Sequence, residues 1–311
     1  VKKTYGKEKK HKILSNSPSD RVFDIFNIVV MIVLLFIFVW PLWFVVIASF
    51  SDPYAVWAGK VLLWPVDFTL KGYQELAKYR AIWVGYRNTI FYTVLGTLIN
   101  MIMTVLCAYP LSRKDWMLRN FFMKMCLITM YFNGGLIPTY LVLRRLHMIN
   151  TVWAMMIPCA LAFSNVLIVR SYFINSIPGE LFEAANMDGA GPFQYLLKVV
   201  IPLSKPVMAV VCLYYAVAHW NDYYTALIYI SNRELVPLQT VLREVLMSAA
   251  SIAESMHNAS ESAAMLMQQK QELAQSLKYT SIIAGIIPMM IAYPFVQKYF
   301  VSGITIGAVK G

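Results

Sequence analysis

The sequence is poor in charged residues. Only 14% of its 311 residues are Asp, Glu, Lys or Arg, whereas an ordinary soluble domain carries about a quarter. Hydrophobic residues make up 59% of the chain, which is more apolar surface than the core of one domain can cover. The composition therefore excludes an ordinary soluble protein, and the long apolar runs predict an all-α integral membrane protein.

The sequence also lacks the motifs of nucleotide binding and covalent catalysis. It contains no G-x-x-x-x-G-K-[ST] phosphate loop, and Gln194 stands where the third glycine of a G-x-G-x-x-G motif beginning at Gly189 would fall. There is no H-E-x-x-H pair and no G-x-S-x-G elbow. We therefore expect no catalytic residue, no metal site and no cofactor in this chain.

Six stretches are long and apolar enough to cross a membrane, which takes about twenty residues. The sequence thus predicts a six-helix transmembrane domain over 25–311, preceded by a basic cytoplasmic segment, 1–24. More than half of the 27 Lys and Arg residues fall on the same side of the membrane as this segment. Because positively charged residues are enriched on the cytoplasmic side, this distribution predicts that both termini are cytoplasmic. The positive charge is thereby explained without nucleic acid. The predicted spans are about 25–50, 88–111, 122–143, 151–174, 203–230 and 279–301.

The cytoplasmic stretch 176–202, between the fourth and fifth predicted spans, is longer than a simple connection requires. Pro178 suits the start of a helix, and Glu183 lies in an early turn, where the helix dipole favours acids. Gly189 ends this helix, and a second helix returns to the membrane at Pro202. The pattern predicts a helix–turn–helix that projects into the cytoplasm.

The same stretch resembles the EAA loop of ABC-importer permeases. The resemblance extends over about 19–311 to the maltose-permease-like branch of type I importers, and most closely to permeases for complex oligosaccharides and polysaccharide fragments in Gram-positive bacteria. The matching EAA-loop residues are Glu183, Ala184, Ala185, Asp188, Gly189 and Pro202. The residues that carry the closer likeness to these Gram-positive permeases are Ser19, Asp20, Arg21, 41–44, Ser51, Asp52, Pro53, 109–114, Tyr293 and Pro294.

This resemblance implies a type I ABC importer permease fold in a bacterial plasma membrane. It implies a second homologous permease that completes the pore, and an extracellular lipid-anchored protein that delivers a carbohydrate. It further implies two ATPase subunits that carry the ATP and Mg²⁺ and bind the EAA-loop residues named above.

Polar side chains within the apolar spans are candidate contacts for the transported solute, because polar groups at membrane depth face cavities or other helices. Aromatic faces beside Asn and Asp groups suit a carbohydrate, which offers CH faces and hydroxyls. An alternative for Asp222 is an acid that packs or pairs near the outer interface. The candidates are Asn133, Asn165, Trp220, Asn221, Asp222 and Tyr223.

Residues 238–278 contain no Gly or Pro and are rich in Ala, Glu, Gln, Leu and Met, which predicts one or two amphipathic helices outside the membrane. This segment is long for a loop in the family. We expect this segment to cap the translocation cavity, to dock an external protein or to lie on the lipid surface.

Two alternatives to a carbohydrate permease remain at this stage. One is the same scaffold with a non-sugar solute. The other is a membrane enzyme that works without nucleotides, although the sequence offers no catalytic pair for it.

Overall fold

The computed structural model describes residues 18–255, 274, 276–291 and 293–294, and every regular element in these ranges is helical. Most of the predicted basic segment 1–24, the middle of the segment 238–278 and the end of the predicted span 279–301 lie outside the described residues. The chain divides after Phe68 into two compact units.

The first unit contains α1 (Pro18–Ser49) and α2 (Pro53–Trp57). Helix α1 begins seven residues before the predicted span, because Pro18 suits the first turn of a helix and Asp20 lies at its positive end. Its stretch Val22–Ser49 is long and apolar enough to cross a membrane, and 0% of its most apolar window is buried. This apolar surface is therefore available to lipid or to another protein.

The second unit is built around α4 (Arg80–Ser112), a helix of 33 residues. Helix α4 contacts α3, α5, α7, α8, α12 and α14. The other helices are α3 (Lys71–Lys78), α5 (Arg119–Tyr131), α6 (Leu136–Arg145), α7 (Trp153–Met156), α8 (Phe163–Ser176), α9 (Glu180–Met187), α10 (Pro192–Tyr195), α11 (Ile201–Leu203), α12 (Lys205–Trp220), α13 (Tyr224–Tyr229), α14 (Leu238–Ser255) and α15 (Ser276–Ile291). A π-helical turn, Leu196–Val200, joins α10 to α11, and a 3-10 turn, Arg233–Leu235, precedes α14.

Two apolar clusters form the core of this unit, one toward each end of α4. The cluster at the N-terminal end includes Tyr92 and Leu238, and the cluster at the C-terminal end includes Ala108 and Val211. These side chains are all less than a tenth exposed. Helix α4 is therefore the element against which the two ends of the unit are packed.

Three predicted spans are not single continuous helices. The span 122–143 bends by 113° between α5 and α6, where Gly135 adopts a φ of +88°. The span 151–174 is broken between α7 and α8 in a stretch that contains Pro158, which disfavours a continuous helix. The span 203–230 is broken between α12 and α13, where the side chain of Asp222 bonds the backbone.

Two helices of the described residues, α1 and α4, are long and apolar enough to cross a membrane alone. Two bent pairs raise this number to four if each pair counts as one span: α5 with α6, and 192–203 with α12. Helix α15 is apolar but shorter. The six spans of the sequence remain a prediction.

Candidate functional site

The stretch 176–202 folds into a helix–turn–helix made of α9 and α10. The turn is centred on Gly189, whose φ of +74° is open to glycine at little cost. The backbone N–H of Gly189 donates to the carbonyl of Asn186 at 3.0 Å, and that of Ala190 donates to the carbonyl of Ala185 at 2.9 Å. These two bonds form a Schellman motif, which ends α9 and sets the direction of α10.

The helix–turn–helix presents acidic and apolar groups on its surface. Met187 is 89% exposed and Phe193 is 62% exposed, and exposed apolar groups of this size mark surfaces that contact other molecules. Among the predicted coupling residues Ala185 is half-buried. The exposed ones are Glu183, Ala184, Asp188, Gly189 and Pro202.

The opposite side of the helix–turn–helix is held by residues at the end of α4. The guanidinium of Arg113 lies 3.2 Å from the centroid of the Phe182 ring, which is cation–π geometry. That ring meets Tyr195 edge-on, with centroids 5.3 Å apart. The hydroxyl of Tyr109 donates to the carbonyl of Pro192 at 3.0 Å. Both helices of the motif are therefore attached to α4.

Arg113 also makes an ion pair next to this attachment. Its Nε donates to Oδ1 of Asp115 at 3.1 Å, and this hydrogen bond holds the pKa of the Asp115 carboxyl below its ordinary value of 3.8. Burial raises the pKa of the Tyr195 phenol. At neutral pH the Arg113 guanidinium thus lies between a charged carboxylate and uncharged aromatic rings.

The helix–turn–helix continues directly into α12. The stretch 192–203 meets α12 at an angle of 84°. Tyr172 of α8 donates to the carbonyl of Leu203 at 3.3 Å, and Arg170 of α8 donates to the carbonyl of Leu111 at 2.8 Å. Helix α8 therefore connects the end of α4 to α11, which immediately precedes α12.

A cavity of about 740 Å³ lies at the C-terminal end of α12, between α12, α14 and α15. The 16 residues of α12 rise about 24 Å, so the cavity and the helix–turn–helix lie at opposite ends of this helix. Its polar lining residues are Asn221, Tyr223, Gln239, Arg243 and Ser281.

No protein-family model matches the chain. It is 33% identical over 292 residues to the polygalacturonan/rhamnogalacturonan transport system permease protein YtcP of Bacillus subtilis (strain 168), which covers 94% of this chain and 99% of that protein. The chain belongs to the carbohydrate permeases of ABC transporters.

Other comparisons agree with this family. The permease is 28% identical over 253 residues to the melibiose/raffinose/stachyose import permease protein MelC of the same organism, over 80% of this chain and 84% of that one. Its fold matches the crystal structure of a bacterial ABC transporter involved in the import of the acidic polysaccharide alginate, with a TM-score of 0.81 and 34% identity. That match covers 91% of the permease and 98% of the solved chain.

Membership in this family confirms the predicted resemblance and the predicted class of function. The relatives are transport permeases, so the chain is a subunit of a transporter and not an enzyme. The all-helical architecture agrees with the fold of an ABC importer permease.

Part of the predicted solute path lies at the cavity of the permease. Asn221 and Tyr223 line it, and the buried Trp220 donates from Nε1 to the carbonyl of Gly285, another lining residue, at 3.1 Å. Asp222 instead accepts from the backbone N–H of Thr225 through Oδ1 at 3.0 Å. That carboxylate stabilises the start of α13.

The other two predicted path residues lie elsewhere. Asn133 is in the break between α5 and α6, where its Oδ1 accepts from the N–H of Gly135 at 2.9 Å. Asn165 is near the start of α8. Neither belongs to the described residues that line the cavity.

The sequence interpretation missed a polar layer between the two apolar clusters. Asn100 and His219 are hydrogen-bonded at 2.7 Å, and Thr104 bonds the hydroxyl of Tyr215 at 2.7 Å. A Cβ on Gly96 would come within 2.5 Å of the His219 ring, so this glycine permits the close approach of α12. The sequence signal for this layer was the spacing of four residues between Gly96, Asn100 and Thr104, which places them on one face of α4.

Proposed function

We propose that this permease forms half of the translocation pore of an ATP-driven importer for an oligosaccharide or polysaccharide fragment. The cargoes for which its relatives are named support this proposal: one carries polygalacturonan or rhamnogalacturonan and another melibiose, raffinose and stachyose. The similar solved transporter imports alginate. All of these solutes are saccharides.

The proposal includes the partners that the family requires. A second homologous permease completes the pore, and an extracellular lipid-anchored protein delivers the carbohydrate. Two ATPase subunits hold ATP and Mg²⁺, so the chain itself carries no cofactor. In this arrangement the permease lies in the bacterial plasma membrane with six spans and with both termini in the cytoplasm, where the ATPases act.

The ATPase contact is assigned to the helix–turn–helix of α9 and α10. Its exposed Glu183, Ala184 and Asp188 lie beside the exposed apolar side chain of Met187, which suits a mixed polar and apolar interface. Ala184 has a small side chain that permits close approach of a partner.

The single observation that carries the coupling mechanism is the placement of this motif and the cavity at opposite ends of α12. A displacement of the motif by ATPase closure reaches α4 through the Arg113–Phe182 contact and α12 through the π-helical turn. Both helices then move as rigid bodies against the second permease, which is how alternating access works in transporters built from paired repeats.

The substitution Glu183→Lys tests this assignment. In the complete reconstituted complex, we expect it to abolish sugar-stimulated ATP hydrolysis and uptake while the complex still reaches the membrane, because it inverts a charge at the interface. The control is Glu75→Lys, the same inversion at a partly exposed acid of α3 that pairs with Lys78, beyond the other end of α4. Unchanged sugar-stimulated hydrolysis in the Glu183→Lys complex would overturn the assignment.

The cargo class is tested separately by uptake of labelled oligosaccharides against labelled amino acids. We expect uptake of saccharide only. Uptake of amino acids alone would favour the same scaffold with a non-sugar solute.

A further inference from the structure

An exposed cationic side chain lines the open cavity at the C-terminal end of α12. Arg243 of α14 lines it, with its guanidinium 4.7 Å from the centroid of the Tyr223 ring. No acidic side chain belongs to the described lining, and no ion pair of Arg243 is found in the described part of the chain. By contrast, the neighbouring Glu244 is paired with Arg233.

The lining of the cavity also includes uncharged polar residues. Ser281 of α15 is 0% exposed, and its Oγ, which has no hydrogen-bond partner among the described residues, is enclosed by protein atoms. A ligand in the cavity therefore cannot contact this hydroxyl. The side chains of Asn221 and Gln239 add amide groups to the lining.

The remaining lining is apolar and includes Leu242, Leu246, Ile286 and Met289. Gly285 brings backbone to the wall: a Cβ there would lie 3.0 Å from Cδ1 of Leu242. The volume of about 740 Å³ falls within the range of about 300–1,000 Å³ that is usual for small-molecule sites. Apolar walls with a few polar groups suit a sugar, whose rings have CH faces and hydroxyl edges.

We propose that this cavity binds the carboxylate of an acidic sugar unit, with Arg243 as the residue that contacts the anion. Asn221 and Gln239 bond hydroxyls of the same unit, and the apolar wall contacts its ring. The inference rests on the proposed carbohydrate function and specifies its cargo as an oligosaccharide that contains uronic acid. A neutral sugar leaves the guanidinium without a counter-charge, whereas a uronate provides bidentate pairing.

The position of the cavity gives this charge a role in selection. It lies at the end of α12 opposite the proposed ATPase contact, which is the outer side in the proposed orientation. An arginine there attracts acidic segments as they leave the external protein, and it disfavours cationic solutes.

The test measures dissociation constants with the complete permease–ATPase complex in nanodiscs, without the external protein. The probes are oligogalacturonate, oligoalginate, the methyl ester of oligogalacturonate and a neutral galacto-oligosaccharide of equal length. In the wild type we expect both acidic probes to bind more tightly than the ester or the neutral probe. Arg243→Gln weakens the acidic probes by about tenfold or more and leaves the other two unchanged.

Two further variants separate the charge from the fold. Arg233→Gln removes an exposed arginine that does not line the cavity, and we expect wild-type affinities for all four probes. Gln239→Ala weakens the acid and its ester by the same factor, because an amide contact does not depend on the carboxylate charge.

Each other outcome overturns a defined statement. An equal loss for all four probes in Arg243→Gln gives Arg243 a structural role and refutes the inference, as does a wild type that binds neutral and acidic probes alike. If the only effect of Arg243→Gln is a change in the anionic lipid that co-purifies with the complex, the cavity binds lipid, and this result also refutes the inference. Absence of saccharide binding together with absence of saccharide uptake overturns the carbohydrate function itself.

Discussion

The guanidinium of Arg113 lies 3.2 Å from the centre of the Phe182 ring, which joins the end of α4 to the first helix of the helix–turn–helix. The Arg113 side chain is only 20% exposed, so water competes little for the contact. Cation–π contacts contribute about 0.5–1 kcal/mol when exposed and about 2 kcal/mol when desolvated. The pair is therefore a direct physical connection between the motif assigned to the ATPase and the central helix of the permease.

Replacement of Arg113 tests whether this connection transmits force. Arg113→Gln removes both the ring contact and the Asp115 pair, so we expect ATP hydrolysis that no longer depends on sugar, together with reduced uptake. Arg113→Lys rescues only in part, because an ammonium cannot stack on a ring as a planar guanidinium does. The measurement is sugar-stimulated against basal ATPase activity in proteoliposomes.

Lys114 provides the matched control for Arg113, because it is the next residue and is exposed. Lys114→Gln should retain the wild-type ratio of stimulated to basal hydrolysis. If Arg113→Gln gave the same ratio as Lys114→Gln, the Arg113–Phe182 contact would have no part in coupling.

The turn of the helix–turn–helix gives a second prediction. Gly189 has a φ of +74°, and no atom lies within 4 Å of the place where its Cβ would be, so Gly189→Ala introduces backbone strain and no clash. The left-handed conformation costs an L-residue about 1–2 kcal/mol. We expect faster proteolysis within 176–202 and weaker ATPase binding.

Gly191 is the control for this strain, since it has a φ of −68° and equally open surroundings. Gly191→Ala should match the wild type in proteolysis and ATPase binding. Equal behaviour of the two alanine variants would show that the turn does not depend on the glycine at position 189.

Local signals explain which parts were predictable from sequence. The end of α9 depends on one glycine and its neighbours, so the pattern of Pro178, Glu183 and Gly189 was enough to predict a helix, a turn and a second helix. The length and apolar character of α1 and α4 were visible for the same reason. Such features require only the residues adjacent in sequence.

Contacts between distant residues explain what was not predictable. The break after α12 depends on Asp222 and Thr225 and on packing against α14, and no helix-breaking Gly or Pro marks it. The cavity combines Asn221, Arg243 and Ser281 from three helices, and Arg243 falls in a segment whose sequence indicates only an amphipathic helix. Its position beside Tyr223 follows from tertiary structure alone.

The segment that positions α14 gives the last prediction. Asn88 of α4 is 6% exposed and donates from Nδ2 to the carbonyls of Glu234 at 2.8 Å and Val236 at 3.0 Å, immediately before α14 begins. Asn88→Ala leaves the buried carbonyl of Val236 without this donor, whereas that of Glu234 still accepts from Arg87 at 3.4 Å. An unsatisfied buried group costs about 1–3 kcal/mol. We expect a lower melting temperature of the purified complex and a shift of α14, and hence weaker binding of every saccharide probe, acidic or neutral. Ile90→Ala, at a position 52% exposed on the same helix, should change neither quantity. A loss confined to acidic probes would contradict this prediction, because a displaced wall affects all ligands whereas a lost charge affects only anions.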